Sequence, residues 1–193
     1  YERTPPSVRT QLHRKVGVAL ERDRAAGLSV AAVELALHFE RCSALMTALR
    51  YYAEAAESSL LRFSPSQTMS LTEHAMTLVP LAADSHERTT LEITLATLQG
   101  AAAVEVVGAS SAEAKLAYQR AFSLLDNAPL HPLRGLFLHG LGLVLWMRGE
   151  LDEANRLAER CDALFVAGAD KTVLLCACLV HGMVEHGRGQ PQL

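Results

Sequence analysis

The stretch Leu138–Cys161, LHGLGLVLWMRGELDEANRLAERC, limits what this chain can fold into more than any other. Leu138, Leu141, Val144 and Leu145 recur at helical spacing, and Leu151, Ala154, Leu157, Ala158 and Cys161 form a second such stripe. Gly149 stands between the stripes with no room for a loop. Helices joined so tightly must be antiparallel neighbours. The small residues Gly142 and Ala154 predict a close approach of the two backbones.

The same grammar runs through the chain. The spacing predicts a first helix over 7–26, with Val8, Leu12, Val16, Ala19 and Leu20 turned inward. Thr4-Pro5-Pro6-Ser7 supplies an extended lead-in and cap, and Gly27 ends the helix. Val30 to Cys42 and Leu45 to Arg62 make a hairpin about Ser43. Ser64-Pro65-Ser66-Gln67 reads as a hydroxyl-capped start with proline in the first turn, and Pro80 closes that helix after Val79. Asp84-Ser85-His86-Glu87 opens a helix reaching Val106, which Gly108 breaks. Ser110-Ser111-Ala112-Glu113 opens another, with Ala114, Ala117, Tyr118, Ala121, Leu124 and Leu125 along one side. Asn127 to Pro132 is a turn, and a last helix runs from Lys171 to His186. Gly142 and Gly182, Gly149 and Gly189, and Ala114 and Ala154 are each 40 residues apart. No Asn-Gly or Asp-Gly hairpin is present, and Val104-Glu105-Val106-Val107 is too short and isolated to seed a sheet.

Composition agrees with a packed helical protein. Half of the 193 residues are hydrophobic and 20% charged, too apolar for a disordered chain, whereas aromatics are only 5%. A net charge of −3 argues against a dedicated nucleic-acid binder. The basic residues Arg3, Arg9, Arg14, Lys15, Arg22 and Arg24 read as a solvated helix face. Cysteines 42, 161, 176 and 178 lack Cys-x-x-Cys spacing and read as buried small hydrophobes in a reducing, cytoplasmic setting. The longest apolar run, Val173 to Val180, is too short to span a bilayer. A start on Tyr reads as a piece of a longer protein.

Leu141-Gly142, Gly149 and Ala154, flanked by Leu138, Leu145, Ala158 and Cys161, resemble the tetratricopeptide (TPR) pattern of paired helices. Ala48, Tyr52 and Ala55, and again Ala114, Tyr118 and Ala121, repeat its second-helix slots. Pro80 follows Ala75 by five residues, as the family's terminal proline does. The resemblance implies an all-α fold: antiparallel helix pairs stacked as a TPR-like right-handed α-solenoid of about nine helices. The whole of 1–193 would be one repeat domain, with a leading helix over 1–27 and repeats over 28–193. The repeat is lengthened from about 34 residues to roughly 40.

Chemistry is sparse. No phosphate loop, dinucleotide fingerprint, Gly-x-Ser-x-Gly elbow or His-Glu-x-x-His is present. His181 and Glu185 share a helix face, but zinc needs three or four ligands, so neither metal nor cofactor is expected. Cys176 and Cys178 point to opposite sides of a helix. The pairs Asp152/Glu153 and Glu54/Glu57 lie on outward faces, without the burial that tunes a general acid or base. No catalytic residue is expected, and a helical enzyme using His139 or His181 is the remotest reading.

TPR arrays line a concave groove with residues from the first helix of each pair. Carried onto this chain, the resemblance places Leu136, His139, Leu143, Trp146 and Met147 there. Cys176, Leu179, Met183 and His186 on the last helix would join them, with Thr97, Ala101, Val104 and Glu105 before Gly108. The only Trp would anchor a partner segment at low entropic cost. A more particular likeness lies in His38-Phe39-Glu40-Arg41 through Ala48 to Ala56, after Leu12-His13-Arg14-Lys15-Val16. It resembles the junction where helical repeats begin in bacterial signal-transduction ATPases, among them MalT-like and LuxR-type transcription regulators. That likeness implies a non-catalytic scaffold biasing a separate ATPase module. Its partner would be a protein segment of the same or another chain, with homo-oligomers compatible and no direct nucleic-acid or membrane contact. A small-molecule inducer held in a sensor pocket is the alternative.

Overall fold

The computed structural model describes residues 5–168 and 171–189, with the backbone alone for 165–168. Among the described residues all regular structure is helical: nine α-helices and two single 3₁₀ turns. The elements are α1 (Pro6–Ala25), α2 (Ala32–Arg41), α3 (Leu45–Leu61), α4 (Pro65–Leu78), α5 (His86–Val106), α6 (Ala112–Ser123), α7 (Arg134–Met147), α8 (Leu151–Gly168) and α9 (Lys171–Gly187). The chain forms two compact units, Tyr1–Leu95 and Ala96–Leu193, dividing within α5.

In the first unit, Leu35, Ala36, Phe39, Ala48, Leu49, Tyr52 and Ala75 form the core of α2, α3 and α4. Helix α1 joins it by an unexpected face. Val8, Leu12 and Val16 are exposed, whereas His13 and Gly17 are buried. The cause is the Phe39 ring, whose tip meets the Gly17 backbone and leaves barely the space of a Cβ. A glycine seat for a buried ring outweighs a stripe of aliphatic residues. His13 Nδ1 then lies 3.1 Å from His38 Nδ1. Burial lowers the His13 pKa, and the neighbouring His38, Arg41 and Arg9 lower it further.

The tight connections share one device. A residue with positive φ follows the helix, and the next N–H reaches back five residues. Leu28 N bonds Asp23 O, Ala44 N bonds Phe39 O, Ser64 N bonds Ser59 O and Glu150 N bonds Leu145 O, all at 2.9–3.0 Å. The left-handed residues are Gly27, Ser43, Phe63 and Gly149. Phe63 is unusual there, since a side chain makes φ of 57° costly. Ser64 does not cap α4 through its hydroxyl, contrary to the sequence expectation. Its N–H belongs to the preceding cap, and its ψ of 64° is not the extended geometry of an N-cap. Ser85 and Ser111 do cap, accepting from Arg88 N at 3.1 Å and Ala114 N at 3.2 Å. Thr4 lies outside the described residues.

Within each unit, helices two apart in the chain also touch. In the first unit, Tyr51 Oη donates to Glu21 Oε1 at 2.7 Å and Arg24 pairs with Glu54, both 30 residues apart. His74 meets Glu40 across 34 residues, and Arg50 meets Glu87 across 37. In the second unit, Lys115 and Gln119 of α6 reach Glu153 of α8 at 2.8 Å. The Cys176 thiol of α9 donates to Gly135 O of α7 at 3.2 Å across 41 residues. Further along, Val180 lies on Gly142 and Trp146 beside Gly187. Residue numbers rise together along both members of the α1/α3, α6/α8 and α7/α9 pairs, so these run parallel.

The second unit is built on glycine contacts. Tyr118 of α6 is buried between Gly100 of α5 and Gly140 of α7, where added methyls would lie inside 3.0 Å of its ring. Gly142 faces Val180 of α9, which corrects its expected role against α8. Gly182, its counterpart 40 residues on, has open space beside it. Gly149 and Gly189 are alike, with φ of 73° and 70° and N–H bonds to Trp146 O and His186 O.

Candidate functional site

Helix α7 sets its packing face first. Phe137, Leu138, Leu141, Val144 and Leu145 are buried, with Gly135 and Gly142 admitting α9. That leaves the proposed groove residues on the opposite side. Leu136 and Met147 are exposed and His139, Leu143 and Trp146 half-buried, while on α9 Leu179 and His186 are exposed and Met183 half-buried. The structure brings Trp146 and His186 into contact, ring centroids 6.3 Å apart. Trp146 is thus partly covered by the next helix. His139 Nδ1 is buried with no hydrogen-bond partner.

Two groove assignments fail. Cys176 and Thr97 are buried, Cys176 against the Gly135 carbonyl of α7. Ala101 and Val104 are half-buried and Glu105 exposed. Among the other assigned residues Leu141, Ala154, Ala48, Tyr52, Ala114, Tyr118 and Ala121 are all buried.

Reactive groups are held quiet. Burial, with Cys176 adding to it, pushes the Cys161 thiol up to about 12, so it is no nucleophile. Cys178 is exposed rather than buried, since it falls on the outer side of α9. His181 Nε2 lies 2.9 Å from Asp162 Oδ2 at the surface. Among the described residues no three His, Cys, Asp or Glu side chains converge as metal ligands would. No helix of the described residues is long and apolar enough to cross a membrane. Glu54 and Glu153 are engaged rather than merely solvated, on Arg24 and on Lys115 with Gln119.

Two polar features escaped the sequence. Tyr52 Oη donates to Glu40, and His74 Nε2 lies 2.9 Å from the same carboxylate, tying α2, α3 and α4 together. Burial works against the charged form of Glu40, but the bonds from Tyr52 and His74 outweigh it and its pKa falls. The second is a cleft of about 500 Å³ among the end of α1, the start of α2, α3 and α4. Arg24, Ala31, Glu34, Glu54, Ser59 and Arg62 stand around it. Its one sequence signal is Ala31 at an N-cap, where a side chain able to accept a hydrogen bond is usual.

Comparison with protein-family models, with curated proteins and with solved structures finds no match to this chain.

Proposed function

We propose that this chain is a non-catalytic interaction module, a TPR-like helical-repeat scaffold that holds a protein segment against the α7/α9 face. The observation that carries the reading is the contact, within each unit, between helices two apart in the chain at separations of 30–41 residues. Such recurrence supports the reading, because stacked helix pairs would bring helices two apart together at a regular spacing. The half-open strip of Leu136, Leu143, Met147, Leu179 and Met183 supplies apolar anchors of the kind an amphipathic segment takes. In the setting suggested by the sequence, a bacterial transcription regulator, the segment would bias a separate ATPase module of the same protein.

The test uses the complete protein. A Gly-x-x-x-x-Gly-Lys-Ser/Thr loop is expected in the same reading frame. Leu143→Glu is expected to change ATP turnover at least threefold while far-ultraviolet circular dichroism stays unchanged. A frame without that loop, or turnover indifferent to Leu143→Glu, would remove the regulator reading.

A further inference from the structure

The cleft at the start of α2 is bordered by three donors that have no partner. No side chain caps α2, and its first backbone bonds run from Glu34 N and Leu35 N to Ala31 O. The N–H groups of Ala32 and Val33 therefore point out of the helix end without an acceptor. Independently, Ser59 of α3 lines the same cleft, is 1% exposed, and its Oγ has no hydrogen-bond partner. A buried serine hydroxyl normally returns to the carbonyl four residues back or finds another partner.

We propose that this cleft binds a small carboxylate ligand, its oxyanion held by the Ala32 and Val33 N–H groups and the Ser59 hydroxyl. The helix N-terminus favours negative charge there, and Arg62 on the rim adds a cation. The wall is not uniformly basic. Arg24 is already neutralised by Glu54, and Glu34 faces the same space. A phosphate dianion meets those two carboxylates unfavourably, whereas an amino carboxylate places its ammonium group toward them. The volume of about 500 Å³ suits a metabolite of amino-acid size or somewhat larger. This site lies wholly in the first unit and does not depend on the α7/α9 reading, so either can fail alone.

The test titrates the ¹⁵N-labelled chain with L-alanine, sodium acetate, sodium phosphate and sodium chloride at matched ionic strength. The amide resonances of Ala32 and Val33 are the readout. Saturable shifts with L-alanine and acetate, and none with chloride, are expected. Ser59→Ala is expected to weaken binding about tenfold, the usual worth of a hydrogen bond to a charged group. Ala31→Asp is a second variant that keeps the fold, because Ala31 already has extended φ/ψ of −71° and 134°. Its own carboxylate caps α2, so the variant is expected to melt higher and to bind neither probe. Shifts that match those from chloride would overturn the proposal. So would saturation by phosphate alone, or L-alanine binding that survives Ala31→Asp unchanged.

Discussion

Gly142 and Gly182 occupy equivalent positions in the 40-residue spacing, yet alanine at the two is expected to act in opposite directions. A methyl on Gly142 would overlap Val180 Cγ2 while meeting Cγ1 and Cβ at ordinary contact. Val180 is fully buried and β-branched, so it has neither space nor an alternative rotamer to yield. Overpacking of this kind costs about 1–3 kcal/mol, and replacing a mid-helix glycine returns about 1 kcal/mol. With Val180 pinned, Gly142→Ala is expected to destabilise by about 1–2 kcal/mol and lower Tm by about 2–4 °C per kcal/mol. Gly182→Ala meets nothing within 4 Å and is expected to stabilise by about 0.5–1 kcal/mol. In a Val180→Ala background the space reopens, and Gly142→Ala is expected to become stabilising. Urea unfolding followed by the fluorescence of Trp146, the sole Trp and in the same unit, measures all three. Equal gains from Gly142→Ala and Gly182→Ala would refute the packing of α9 on α7.

Other perturbations test other parts of the molecule. Phe63→Gly relieves a left-handed φ from a side chain that is 93% exposed, and is expected to raise stability by about 1 kcal/mol in thermal melts. The His13 pKa is lowered on folding, so above 6.5 the proton deficit costs nothing, and stability falls as pH drops below 6.5, where the unfolded chain binds the proton more readily. The urea midpoint of the first unit should therefore drop between pH 7.5 and 5.5, and His13→Asn should flatten that dependence; an equally steep fall in the variant would refute the assignment. Lys115, and after it Arg148, hold Glu150 down to about 2. That stability is present above the ordinary carboxylate range and lost as pH falls toward 2. Lys115→Met should return the Glu150 pKa upward in a carboxyl-carbon NMR titration and destabilise the second unit at pH 7.

The helices were legible because periodicity and punctuation are local. Ser85, Ser111, Gly27, Gly108 and Gly149 act within one turn of themselves, and they mark the starts of α5 and α6 and the ends of α1, α5 and α7. What a helix buries is set by residues far along the chain. On α1 the stripe Val8, Leu12, Val16 is the more hydrophobic face, but Phe39 selects Gly17. Gly142 looked like a contact for its hairpin partner, and only the position of Val180 shows that it seats α9. Ser64 has the sequence pattern of a capping hydroxyl, but the preceding helix end takes its N–H, and its ψ of 64° departs from N-cap geometry. The cleft was invisible for a similar reason. Its donors are a weak N-cap at Ala31 and a serine 28 residues away, neither of which carries a motif. In the groove set, Leu136 and Met147 stay exposed and Leu143 half-buried, while Thr97 and Cys176 are buried, Cys176 because Gly135 of α7 stands beside it.

The parallel register of α7 and α9 is the point on which the repeat reading turns, and nuclear Overhauser contacts between methyl groups and glycine Hα protons measure it directly. The account predicts cross-peaks from the Thr172 γ-methyl to Gly135 and from a Val180 γ-methyl to Gly142, in rising order along both helices. Thr172 meeting the Trp146 end of α7 instead, with no Val180–Gly142 contact, would contradict it.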